Sequence, residues 1–318
     1  MRRLKAWDAG WLIVLTVLFG SPGQAKSASI VVPPGFSVTS FPIKIEIDGL
    51  ALSPGGAYGS DLYAAVNGAV LRVNPVSGAF RTFATGLATG SGRPSGLAFD
   101  PGTFGTNLLY VCQNDGSVVT VSPAGKVSSF SKGGTLFSSN DLAFAPPGSA
   151  FGANLFVSNG PFGPGNISKV SSAGINSVFA PTSSFAQVPI GLAFLSSGGS
   201  FRNNLYASLP NRTVVQIDPV AKVNTFAKGL GLAIDLAFSA GGAFGNHIYV
   251  TDPVSQSILS IDSSGAVSTF ATGFKFTRGG FDADLMFSTN GDTLFVSEGN
   301  NITAITSKPA VVTGTKPR

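Results

Sequence analysis

The chain has 318 residues, 43% of them hydrophobic and only 11% charged, with a formal net charge of +5. No run of Lys or Arg occurs, so the dense basic stripe that neutralises phosphates is missing and nucleic acid is excluded as a partner. Cys112 is the single cysteine, which rules out an internal disulfide and leaves stability to packing.

Residues 1–25 read as an export signal: Arg2, Arg3 and Lys5 lead an apolar run from Ala9 to Phe19, followed by the small-residue exit Gly23-Gln24-Ala25. The run is too short to span a bilayer, and no lipidation cysteine follows it. The expectation is a secreted or periplasmic product with no stable membrane anchor after cleavage. Both tryptophans, Trp7 and Trp11, would leave with the leader. Residues 26–34 read as a linker.

From there the chain repeats itself six times. The triplets Leu50-Ala51-Leu52, Leu97-Ala98-Phe99, Leu142-Ala143-Phe144, Leu192-Ala193-Phe194, Leu236-Ala237-Phe238 and Leu285-Met286-Phe287 have leading leucines 47, 45, 50, 44 and 49 residues apart. Periods of this length belong to solenoids and propellers. In the fifth unit the triplet is followed by the turn Ser239 to Asn246, then the strands His247 to Thr251, Ile258 to Ile261 and Val267 to Phe270. Four short antiparallel strands per unit, six units and no helical period predict an all-β, six-bladed β-propeller over residues 35–308, with 309–318 as a tail. The sixth unit lacks a Val-x-x-Phe strand, whereas Val38-Thr39-Ser40-Phe41 near the start matches one. Residues 35–43 are therefore expected to complete the last blade and close the ring. Cys112, inside a strand, reads as a buried and inert thiol.

Strand alternation gathers Asp48, Asp115, Asp141, Asp235, Asp252, Asp282, Asp284 and Glu298 on one face, joined by Asn67, Asn114, Asn159 and Asn211. Oxygen donors concentrated at one mouth suit a hard cation such as calcium. The loops that vary in length lie on this face too, where binding on a rigid scaffold usually resides. They carry Arg93, Phe162, Phe185, Phe274, Phe276, Arg278 and Phe281, a mixture able to grip an apolar or anionic ligand. The candidate ligand-binding residues are accordingly Asp48, Arg93, Asp141, Asn159, Asp235, Asp252, Arg278, Asp284 and Glu298. Each acid also has a plainer role open to it, satisfying backbone N–H groups beside a strand start. His247, the sole histidine, falls on the opposite face in a slot filled elsewhere by Asp61, Asn107, Asn154 and Asn204, which leaves a catalytic triad unsupported. The Gly-rich stretches precede strands and never helices, so they are turns and not phosphate loops.

Pro94-Ser95-Gly96-Leu97-Ala98-Phe99-Asp100, with Leu109-Tyr110-Val111 and Gly125-Lys126-Val127, resembles the NHL repeat and the gluconolactonase or senescence-marker-protein superfamily of propellers. That resemblance implies the six-bladed fold and a superfamily of calcium- or zinc-dependent lactonases and esterases alongside plain binding modules. It also implies a metal at one end of the channel, for which Asn140 and Asp48 match ligand positions. The superfamily's Glu-Gly-Pro opening and Asn-Asp-Gly-Lys segment are absent, and blades four to six carry Ile190, Ile234 and Ala283 at the corresponding places. Two functions stay open: a propeller binding a small molecule or protein at an acidic, loop-rich mouth around a structural cation, and a metal-dependent lactonase-like hydrolase.

Overall fold

The computed structural model describes residues 29–160, 165–195, 201, 204–239, 241–277 and 283–308. The first strand, β1 (Phe36–Pro42), precedes the ring proper. Blade one is β2 (Gly49–Leu52), β3 (Leu62–Val66), β4 (Ala69–Val73) and β5 (Phe80–Thr85); blade two is β6 (Pro94–Phe99), β7 (Leu109–Gln113), β8 (Ser117–Val121) and β9 (Val127–Lys132). Blade three is β10 (Ser139–Phe144), β11 (Asn154–Asn159), β12 (Asn166–Ser171) and β13 (Asn176–Ala180); blade four is β14 (Leu192–Phe194), β15 (Leu205–Leu209), β16 (Thr213–Ile217) and β17 (Val223–Lys228). Blade five is β18 (Leu236–Phe238), β19 (Ile248–Asp252), β20 (Ser257–Ile261) and β21 (Val267–Thr272). Blade six is β22 (Leu285–Phe287), β23 (Thr293–Glu298) and β24 (Asn301–Ser307), and β1 supplies its fourth strand.

The ring closes as the missing Val-x-x-Phe segment predicts. Phe36 pairs with Ser307, and the antiparallel register continues to Pro42 against Asn301. Ile43 and Lys44 extend the seam, both donating to the Asn300 carbonyl. Upstream of β1 the chain is also engaged: Val31 and Thr272 exchange backbone hydrogen bonds of 2.9 and 3.0 Å, while Ile30, Val32 and Phe36 pack on the cluster between blades five and six.

Each sheet is apolar on both faces because it is sandwiched between its neighbours, so β3, β7, β8, β15 and β19 are buried along their lengths. The repeated aromatics weld the blades in groups of four. Tyr58, Tyr63 and Phe83 of blade one meet Phe99 of blade two, and Phe244, Tyr249 and Phe270 of blade five meet Phe287 of blade six, mostly edge to face at 4.9–6.1 Å. A bulge displaces the outermost strand at the same point of five blades, for instance between Ile258 and Leu259 against β21, adding local twist at the rim.

Candidate functional site

The innermost strands begin at one mouth of the channel, and the two residues before each triplet leucine form two rings around it. The ring one residue before the leucines reads Gly49, Gly96, Asp141, Gly191, Asp235 and Asp284 around the six blades. Its three carboxylates bind backbone N–H groups across blade boundaries. Asp141 accepts from its own blade's Leu142 at 2.7 Å and from Leu192 of blade four at 2.7 Å. Asp235 accepts from Leu285 of blade six at 2.9 Å. Asp284 accepts from Leu285 at 2.7 Å and from Leu50 of blade one. The glycines are where those carboxylates need room: a Cβ on Gly96 would lie 2.5 Å from Asp141 Oδ1, and one on Gly191 would lie 2.6 Å from Asp235 Oδ1.

Hydroxyls on the second strands stitch the same boundaries. Ser158 donates to the Ile190 carbonyl at 2.5 Å, Ser208 to Ile234 at 2.5 Å and Thr251 to Ala283 at 2.7 Å, each reaching the next blade. Blade two carries Cys112 in this slot, and Ser95 takes over by donating to the Ser139 carbonyl at 2.8 Å. Cys112 is fully buried and desolvation pushes its thiol up to about 12, which makes it an inert packing residue.

The ring two residues before the leucines reads Asp48, Ser95, Asn140, Ile190, Ile234 and Ala283. Its first half is polar and its second half apolar. Apart from Gly49, both rings border a cavity of about 300 Å³, to which the loop residues Gly90, Ser91, Arg93 and Asn114 add a rim. Asn67 accepts from Gly90 N–H at 2.8 Å and the Arg93 carbonyl accepts from Asn114 N–H at 3.0 Å, which fixes that rim. Arg93 reaches across the blade boundary to Asp48 at 3.0 Å and Glu46 at 3.3 Å. Asn140 is 8% exposed, and among the described residues its side-chain nitrogen has no hydrogen-bond partner; the same holds for the Asn114 side-chain oxygen.

Burial, and then mutual repulsion, raises the acids. Asp141 lies well above the usual carboxylate range through desolvation and the nearby Asp235. Asp235 is likewise raised well above that range through desolvation and the adjoining Asp284, while Asp284 is pushed up to about 6. Asp235 and Asp284 adjoin, and two buried carboxylates this close cannot both ionise cheaply, so a proton on one favours the charge on the other.

Among solved structures the chain is similar to a gluconolactonase from Xanthomonas campestris at 17% identity, with a TM-score of 0.64 over 85% of this chain and 89% of that one. It is similar to a putative glucose dehydrogenase from Thermus thermophilus at 17% identity (TM-score 0.60; 85% and 100% covered), and to a virginiamycin B lyase from Staphylococcus aureus at 11% (TM-score 0.57; 85% and 99% covered). Its structural neighbours are gluconolactonase-like six-bladed propellers. No family model and no curated protein sequence matches the chain. At these identities the likeness describes the fold.

A divalent cation, which the resemblance read from the sequence implies, does not fit the residues at the mouth. The Arg93 guanidinium already stands beside Asp48, where such an ion would have to lie, and the oxygens of Asp141, Asp235 and Asp284 are engaged by backbone N–H groups of different blades. Among the described residues no group of three or more His, Cys, Asp or Glu is arranged to hold a metal.

Of the residues singled out from sequence, Asp48, Arg93, Asn140, Asp141, Asp235 and Asp284 come together at the cavity. Asn159, Asp252 and Glu298 do not line it. They sit at the ends of second strands and accept from loop N–H groups: Asn159 from Phe137 at 3.2 Å, Asp252 from Gly231 and Leu232 at 2.8 and 2.9 Å, and Glu298 from Lys275 at 2.9 Å. Phe274 and Phe276 stack on each other inside the core, 3% and 4% exposed, rather than facing a ligand. Arg278, Phe162, Phe281 and Asp282 lie outside the described residues, as does the expected export signal. His247 remains at the opposite turns, its Nδ1 3.1 Å from the Phe244 carbonyl. The cavity residues that sequence reading passed over as binders are Ser95 and the apolar trio Ile190, Ile234 and Ala283; counting back two positions from every triplet would have found them.

Proposed function

We propose that this chain is an exported binding propeller that takes one small amphipathic molecule into the mouth of its channel. The observation that carries this reading is the Asn140 side chain, buried at the edge of the polar sector with an amide nitrogen that no protein group satisfies. Leaving such a donor unpaired costs about 1–3 kcal/mol, which a ligand acceptor would recover. Across the cavity Ile190, Ile234 and Ala283 offer the apolar wall that small-molecule sites combine with a few fixed polar groups. The test is a saturation-transfer NMR screen with neutral and charged fragments. Asn140→Leu and Ile234→Asn are expected to weaken the hits about tenfold. Hits indifferent to both substitutions would refute the mouth as the site. Export is checked by intact mass of the product outside the cytoplasm, expected to begin after Ala25.

A lactonase-like hydrolase is the second reading, favoured by Asp284, a carboxyl held near 6 inside the cavity and therefore suited to moving a proton near neutral pH. Hydrolysis of δ-gluconolactone, assayed with and without added calcium and in Asp284→Asn, decides it. No turnover under either condition removes the reading.

A further inference from the structure

The charge around the cavity is lopsided. Carboxylates of Asp48, Asp141, Asp235 and Asp284 border it, and among the described residues Arg93 is the one cationic side chain that lines it. That guanidinium already contacts Asp48 at 3.0 Å and Glu46 at 3.3 Å, so its charge is spent on the blade-one side. The other three acids accept hydrogen bonds from Leu192, Leu285 and Leu50; burial favours their protonated forms, so their negative charge is drawn out by a cation set beside them. Cavities lined by one sign of charge concentrate the opposite sign. These acids come from blades one, three, five and six, and among the described residues no three of them are arranged to hold a metal ion. The separate fact that Asn140 is nine-tenths buried with an unpartnered donor marks the same space as a ligand site.

We infer that the molecule taken up here carries a protonated amine on an apolar body, an inference that rests on the binding reading above. The ammonium has three donors on a compact head and needs only the carboxylate lone pairs that the backbone N–H groups leave open. The body lies on Ile190, Ile234 and Ala283, and an acceptor on that body meets the Asn140 amide. An opposite charge within about 4–6 Å also stabilises the ionised form of the acids beside it, so amine binding and ionisation of the floor reinforce each other.

The experiment uses three probes of nearly equal shape and different charge: 3-phenylpropylamine, 3-phenylpropan-1-ol and 3-phenylpropionate, titrated against the full-length protein at neutral pH by ligand-observed NMR. The amine is expected to bind at least about tenfold tighter than the alcohol, and the carboxylate to bind weakest. Asp235→Asn is expected to narrow the amine's advantage. Where that variant fails to fold, Asp48→Asn serves instead, because it releases Arg93 towards the cavity and is expected to shift preference towards the carboxylate. An alcohol that equals the amine, or a carboxylate that beats it, overturns the amine inference and leaves the binding reading standing. An amine preference unchanged in the variant that folds also overturns it. No detectable binding of any probe up to about 10 mM sinks both.

Discussion

Raising the pH should weaken this protein before it reaches neutrality, because its inner ring holds acids that fold with their protons on. Burial, reinforced by the Asp141 charge, raises Asp284 from 3.8 to about 6, and Asp235 and Asp141 shift the same way. A group whose folded value is raised binds its proton more tightly in the native state; its stabilising contribution is complete below the unfolded value and disappears as pH climbs through the folded one. For Asp284 the window runs from about 4 to about 6, and a shift of roughly two units corresponds to about 3 kcal/mol, an upper figure because cavity water screens the carboxylate. In a domain this size that is a fall of roughly 5–10 °C in melting temperature. Asp100 works in the opposite sense and at lower pH: its desolvation is overcome by the backbone and side-chain donors around its turn, which together hold it low, so its contribution vanishes only on strong acidification. The stability maximum is therefore expected near pH 4–5. The assay is urea denaturation followed by circular dichroism at half-unit steps from pH 4 to 8, with Asp284→Asn alongside, whose profile should be flatter across the window. A wild-type curve that stays level or rises between pH 4.5 and 6.5 would refute the idea that this ring is built of protonated acids.

Gly191→Ala drives a methyl to within 2.6 Å of Asp235 Oδ1 and 2.8 Å of the Ile234 carbonyl, and should cost about 1–3 kcal/mol in denaturant midpoints. The exposed Gly86→Ala, which meets nothing within 4 Å, should cost only what its φ of +84° imposes. Deleting residues 36–42 strips β24 of its partner strand and exposes a free edge, so the product should aggregate or melt without cooperativity in calorimetry. Cys112 should stay unreactive towards a thiol reagent until denaturant is added, consistent with a thiol pushed up to about 12.

The architecture was legible because each blade repeats the same strand sequence, and the closing strand betrayed itself as a Val-x-x-Phe segment in the wrong place. The side-chain partnerships were harder to read, for a physical reason. Alternation assigns a face but not a depth: Asp235 before Leu236 and Asp252 at the end of β19 both map to the mouth, yet one borders the cavity while the other is consumed by the amides of Gly231 and Leu232. Arg93 looked available for an anionic ligand because Asp48, its partner, lies in another blade. Phe274 and Phe276 looked like loop aromatics; their mutual stacking at 5.1 Å takes them inside.

The pairing of Phe36 through Pro42 with the end of the chain has a bearing on how the molecule is made. Ser37 donates to the carbonyl of Thr306, 269 residues further along, so β1 has to wait, unmatched, until β24 has been made. Domains with such distant partners gain little from their first contacts and acquire their stability late. Five sheets can assemble in turn, but the circle locks only when β1 and β24 are both present, which makes the arrival of β24, rather than any earlier sheet, the committing event in ring closure.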